Sequence, residues 1–267
     1  MLLKKNPWDG YVAPGRIFGN LYFVGSRPAS THLIDTGEGL ILIDPGYIDT
    51  LYLVVENIWE LGFDPRDIKY IVLSHGHYDH MNGTRALVEL TGAKTFLGKD
   101  DLPLVRTKES PSGNGVVYPF EPDVLLSDGD VISLGNTSIR FVSTPGHTDG
   151  TMSMFFDVTD GVRTLRAGMH GGVGLNTLSR EYLTRTGEPF DHRDKYFASL
   201  EKLKREKVDI FIGNHVGNND TVGKLAKVKT ESENPFINPE EWGLFLEKCK
   251  KKLEELIASE QTQSQSV

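Results

Sequence analysis

The sequence predicts an α/β protein whose sheets form a sandwich. Three observations carry that prediction. Strand-like and helix-like segments alternate along the chain. Three of the strand-like runs end in a glycine-containing turn followed by histidine, as a site built on one edge of a sheet sandwich would require. A length of 267 residues buries a large core within a single domain.

Taken in order, strand signals occur near residues 17–24, 30–35 and 39–44, and Thr36-Gly37-Glu38-Gly39 reads as a hairpin turn between the last two. From Leu51 to Leu61, Leu53, Val54, Ile58 and Trp59 recur with helical spacing. Ile68 to Leu73 has the composition of a buried strand. Thr84 to Leu90 reads as a helix closed by Thr91-Gly92. Pro111-Ser112-Gly113-Asn114-Gly115 has no periodicity and reads as loop. Strands dominate from about Val124 to Leu165, broken at Ser127-Asp128-Gly129-Asp130 and at Asp160-Gly161, and another runs from Val208 to Ile212. Helices are expected near 192–206 and 239–258. The second opens with Asn238 as cap, Pro239 at the first turn and Glu241 as a capping-box carboxylate. Its Trp242, Leu246, Leu253 and Leu256 are expected to face the core. No repeat or linker divides the chain, so residues 1–260 are expected to form one domain, with 261–267 a disordered polar tail.

The composition narrows the possible partners. The formal net charge is −8, with 38% hydrophobic and 25% charged residues, as in an ordinary soluble protein. Phosphate-backbone binding needs clustered Lys and Arg, so no nucleic-acid partner is expected. The one basic run, Lys248-Cys249-Lys250-Lys251-Lys252, lies on a predicted helix and reads as a solvated face. Cys249 is the only cysteine and cannot form an internal disulfide. Met1 to Pro7 holds too few apolar residues for a signal-peptide core, and no apolar run approaches membrane-spanning length. A cytoplasmic protein acting on a small molecule, with no membrane partner, is the resulting expectation.

Ser74-His75-Gly76-His77-Tyr78-Asp79-His80 carries the chemistry. Three imidazoles and a carboxylate fall within six residues directly after a strand. Imidazole nitrogen and carboxylate oxygen are the ligands that zinc and similar divalent metals prefer. His147 follows Pro145-Gly146 after the run Thr137–Val142, and His215 follows Gly213-Asn214 after Val208–Ile212. These two histidines complete a candidate metal site. His32 reads as structural, His192 as a surface or helix-capping residue, Tyr78 as packing, and His170 as a residue near the site mouth.

His75-x-His77-x-Asp79-His80, then Pro145-Gly146-His147-Thr148 and His215, resembles the metallo-β-lactamase superfamily. Thr31 to Thr36 and Gly39 to Gly46 resemble its first hairpin. The resemblance implies an αββα sandwich of two mixed β-sheets flanked by helices. It also implies two Zn²⁺ ions per chain, the first held by His75, His77 and His147, the second by Asp79, His80 and His215. The closest subclass is the one with an Asp-His-His second site and no cysteine ligand. Two departures stand out. Met169 takes the place of the bridging aspartate found in many relatives. The hydroxyls that help lactamases of that subclass hold the drug's carboxylate are missing at Met169 and Gly171.

The implied activity is a di-zinc hydrolase. A metal-activated hydroxide would attack a lactone, thioester, β-lactam or related acyl compound, with Asp79 as the catalytic group that orients it. The alternative is a mononuclear iron oxygenase acting on a small thiol or persulfide, and a silent binding protein is the third reading. Segments 101–120 and 171–191 are expected as pocket loops, with Arg106, Lys108, Asn114, Tyr118, Thr177 and Arg180 among their polar side chains. His170 and Asn176 are the expected substrate contacts, and the substrate could be anionic.

Overall fold

The computed structural model describes residues 7–108, 116–228 and 230–265. Its first sheet holds seven strands in the order β1 (Gly15–Phe18), β2 (Leu21–Phe23), β3 (His32–Asp35), β4 (Leu40–Ile43), β5 (Ile68–Val72), β6 (Lys94–Gly98) and β7 (Val124–Leu126). β1 to β4 pair antiparallel, whereas β4 to β7 pair parallel. The change follows from the connections. Short turns join the first four strands, while α1 (Leu51–Glu60) and α3 (Thr84–Thr91) carry the chain back between β4, β5 and β6. α3 stops where the sequence indicates, at Gly92 with φ +68°.

The second sheet has the order β12-β11-β10-β9-β8. β8 (Val131–Leu134), β9 (Thr137–Ser143), β10 (Met152–Thr159) and β11 (Thr164–Met169) form an antiparallel meander, and β12 (Ile210–Phe211) joins β11 in parallel. β9, β11 and β12 therefore point the same way, and their carboxyl ends share one edge. In the first sheet β4, β5 and β6 likewise end together.

Between the sheets lies an apolar core of residues such as Phe23, Ile41, Ile43 and Val72 from one side and Phe141, Met154, Phe156 and Met169 from the other. The opposite face of the first sheet packs Leu33, Leu42, Ile71 and Leu97 against Val54 and Ile58 of α1 and Leu87 of α3. The outer face of the second packs Val142, Phe155 and Phe211 against α6 (His192–Leu203) and α8 (Pro239–Gln265). Four layers result, helix, sheet, sheet, helix, as expected. β4 reads Leu-Ile-Leu-Ile because both of its faces are covered.

Several local expectations change. β6 and four short helices were not legible: α2 (Tyr78–Met81), α4 (Leu102–Arg106), α5 (Arg180–Thr186) and α7 (Thr221–Val228). α2 and α4 span little more than one turn, too short for an apolar position to repeat along a face. Asn238 does cap α8, its Oδ1 accepting from Glu240 N at 3.1 Å. Glu241 does not close the capping box but pairs with Lys224 of α7. α8 runs to Gln265, beyond the expected end at 258. Residues 261–265, expected as disordered tail, extend the helix, and Thr262 Oγ1 donates to Ala258 O one turn back. The sequence from Gln261 to Gln265 holds no proline or glycine, so nothing in it breaks the backbone ladder. The loop expected at 111–115 and residues 266–267 lie outside the described residues. No helix among the described residues is long and apolar enough to cross a membrane.

Candidate metal centre

The shared strand ends bring the distant histidines together. His75 and His77 follow β5, and Asp79 and His80 lie in α2. His147 follows β9 and His215 follows β12. His77 Nδ1 and His147 Nε2 are 2.9 Å apart, and His80 Nε2 lies 3.3 Å from His215 Nε2. Asp79 Oδ2 is 3.4 Å from His80 Nε2 and 3.7 Å from His215 Nε2. His75, His77 and His147 form one group whose ligand atoms lie within 4.8 Å of one another, and His75, Asp79 and His80 form another. His75 and His80 are buried, whereas His215 and Asp79 side chains retain 35% and 19% exposure. The cluster therefore opens to solvent on that side.

The back of each ring shows which atom is left over. His147 Nδ1 donates to Gly174 O at 2.7 Å, and His215 Nδ1 to Pro28 O at 2.7 Å. His80 Nδ1 contacts Asp44 Oδ2 at 3.0 Å. His75 Nδ1 contacts Ser74 Oγ at 3.0 Å, and that hydroxyl itself donates to Asp44 Oδ2 at 2.6 Å. With these backs occupied, the Nε2 atoms converge. His75 Nε2 is buried and has no hydrogen-bond partner. An unpaired buried nitrogen is costly, and converging lone pairs repel. A divalent cation removes both penalties, so the residues fit the metals the motif implies.

The electrostatics agree. Burial lowers His77 to about 4 against the attraction of Asp79. Burial and neighbouring imidazoles hold His75 and His147 well below the usual imidazole range, and His215 is lowered for the same reasons. Four of the five rings are therefore neutral, the state that binds metal. His80 is the exception: burial pulls it down, but Asp79 and Asp44 outweigh that and raise it to about 10. Burial pushes Asp79 up, yet His80, His215 and His77 prevail and hold it well below the usual carboxylate range.

Local backbone makes these contacts possible. Asp44 takes φ +51°, unusual for a residue other than glycine. From there Oδ1 accepts from Ser74 N at 2.7 Å while Oδ2 serves Ser74 and His80. Beyond β11, the glycines let the backbone run against the His147 ring. A Cβ at Gly172 would sit 2.7 Å from His147 Cδ2, and one at Gly174 would sit 3.0 Å from His147 Cε1.

Not every expected contact is at the mouth. His170 is 1% exposed, and its ring lies against Tyr196 of α6 at 5.9 Å. It is not presented to substrate. Alternation along β11 turns Met169 into the inter-sheet core and His170 towards the helix layer. Asn176 is exposed and its Oδ1 borders Gly174, beside His147. Thr177 is buried instead of facing a pocket: its Oγ1 donates to His147 O at 2.9 Å and contacts Nδ1 of that ring at 3.1 Å. Arg106 is engaged by Glu121, and the expected Asn114 lies outside the described residues. His32 is structural, 1% exposed, with Nε2 donating to Gly213 O. His192, expected at the surface or in a capping role, is instead buried at the start of α6, its Nε2 3.5 Å from Asp149. Tyr78 packs on Tyr47. Sequence reading missed Asp44 and Ser74 as supports of the cluster, although Asp44 lies in a stretch that carries the family likeness and Ser74 directly precedes another.

Comparison with known proteins agrees with this arrangement. The family profile described as "Metallo-beta-lactamase superfamily" matches residues 24–215. The chain belongs to the metallo-β-lactamase superfamily and has its fold. Among solved structures it is similar to BJP-1, a subclass B3 metallo-beta-lactamase of Bradyrhizobium japonicum, with TM-score 0.88 and 27% identity over 97% of this chain and 98% of that one. In sequence it is 23% identical to an N-acyl homoserine lactonase of Bacillus thuringiensis, over 80% of this chain and 89% of that protein. It is 28% identical to the probable metallo-hydrolase YflN of Bacillus subtilis, over 56% of this chain and 59% of YflN. The chain thus spans less than two thirds of some curated relatives it matches.

Proposed function

We propose that the chain is a di-zinc hydrolase that opens a carbonyl or ester-like bond in a small acyl compound. The observation that carries this reading is the convergence of ring nitrogens whose other sides are already hydrogen-bonded, with His75 Nε2 left bare. His75, His77 and His147 would hold one ion, and Asp79, His80 and His215 the other. When bound, such ions lower the pKa of water towards neutrality and polarise a carbonyl.

The remaining roles belong to the chain. Asp79, ionised beside His80, has one oxygen to give to a cation and a second to hold a water proton in line for attack. Asp44, through His80 and Ser74, keeps the imidazoles turned inward. Asn176 has its amide at the exposed rim beside His147, where it can donate to a substrate oxygen. The lactonase and lactamase names of the relatives support an acyl substrate of this kind.

Metal analysis of protein purified without added metal tests the reading. About two zinc per chain is expected, given three protein ligands and an open position for each ion. One iron per chain would favour the oxygenase, and no bound metal would favour a silent binding protein.

A further inference from the structure

Asp101 stands where the sequence would place a helix cap, immediately before α4, but its side chain makes no cap bond. It is turned instead towards the metal centre, 1% exposed. Oδ2 accepts from Gly76 N at 2.7 Å and from Thr148 Oγ1 at 2.8 Å. Oδ1 accepts from Gly150 N at 2.7 Å. Gly76 lies between His75 and His77, and Thr148 follows His147. Those loops leave different sheets, so one carboxylate ties them together.

The backbone is shaped to this contact. A Cβ at Gly150 would lie 2.3 Å from Asp101 N and 2.6 Å from its Cγ, and one at Gly76 would lie 3.3 Å from its Cβ. Only glycine allows such an approach at 150. None of these three bonds comes from a basic side chain. Burial pushes the carboxyl up to about 6 against the pull of its donors. A carboxylate serving helix stability alone would cap α4 and stay wet.

We propose that Asp101 is a positioning residue for the first metal position: it fixes the separation of the His75–His77 loop from the His147 loop, and so the approach of His77 Nδ1 to His147 Nε2. This rests on the two-metal reading above. The second position, built from Asp79, His80 and His215, hangs on Asp44 and Pro28 and does not need Asp101.

Zinc affinity, read by chelator competition in two backgrounds, tests the proposal. His215→Ala leaves the first position, and His77→Ala leaves the second. Adding Asp101→Asn should weaken zinc about 10–100-fold in the His215→Ala background, and by less than about threefold in the His77→Ala background. Equal weakening in both, or none in either, would overturn the proposal, because a general support of the fold cannot choose between positions. Should Asp101→Asn not fold, Thr148→Val read against Thr148→Ser replaces it. Loss of affinity with Val and retention with Ser supports the tether, and equal values refute it. Wild-type protein that binds no zinc would fail the metal reading itself, visibly before any Asp101 variant is made.

Discussion

The imidazoles of this centre are held from behind. Each of His75, His80, His147 and His215 spends its Nδ1 on an oxygen, which fixes both tautomer and ring direction. His77 differs by presenting Nδ1 itself to His147. Changing His77 or His147 to Ala should abolish hydrolysis and remove about one zinc per chain, since three ligands and a water are the minimum for a catalytic zinc. Full activity with unchanged metal content would take either residue out of the site. Gly171 allows a second test at this scale. A Cβ there would lie 2.2 Å from Met152 O, and a backbone atom cannot yield as a side chain can. Gly171→Ser should therefore lose about 1–3 kcal/mol in denaturant unfolding, the usual range for overpacking. A variant as stable as wild type would show that the loop moves freely. Met169 is 0% exposed in the inter-sheet core, so a carboxylate put there in imitation of the bridging aspartate would be buried among apolar side chains.

Helices and strands set the response to pH. His32 on β3 and His170 at the end of β11 are both 1% exposed. Burial lowers them to about 4 and about 3. Their folded pKa values lie below the unfolded value of 6.5, so each contributes stability above pH 6.5 that is lost as pH falls through the folded value. For His170 that loss amounts to about 3 kcal/mol between pH 7 and 4. His170→Leu should flatten the acid limb of the stability curve by about that amount. Parallel curves for variant and wild type would mean that His170 is solvated. At this scale the sequence was legible where an element had a full period or a marked end. Leu51–Glu60 shows its helical face, and Gly92 its stop. β6 and α2, α4, α5 and α7 were not, because short elements are stabilised by what they pack against rather than by their own pattern. α8 continues past 258 because its polar tail offers no breaker.

For the molecule as a whole, the substrate question turns on the residues that surround the candidate metal centre. The chain resembles a subclass B3 lactamase over nearly its full length, but Met169 ends β11 and Gly171 follows it, with no hydroxyl at either. Asn176 is exposed and borders Gly174 beside His147. Penicillin, cephalosporin and carbapenem substrates should therefore be turned over poorly beside a lactone and thioester panel, since misplacement by about 1 Å can cost roughly a hundredfold. A lactam hydrolysed with kcat/KM near ~10⁴–10⁸ M⁻¹s⁻¹, the range of competent enzymes, would make antibiotic hydrolysis the leading activity.

By itself the sequence determined the fold class and the six candidate ligands. Ligand chemistry is local: a histidine or aspartate at a strand end announces its donor atom wherever the chain carries it, and alternating apolar runs announce the layers they must bury. Only the tertiary structure decided which polar residues hold the cluster from behind and which are buried away from its open side. Asp44, Asp101 and Thr177 act across sheets or between loops far apart in the chain. His170 is withdrawn from the mouth by one step of strand alternation. Those assignments depend on which loops the parallel strand ends bring within about 3 Å, the reach of a hydrogen bond, and no spacing along the chain encodes that distance.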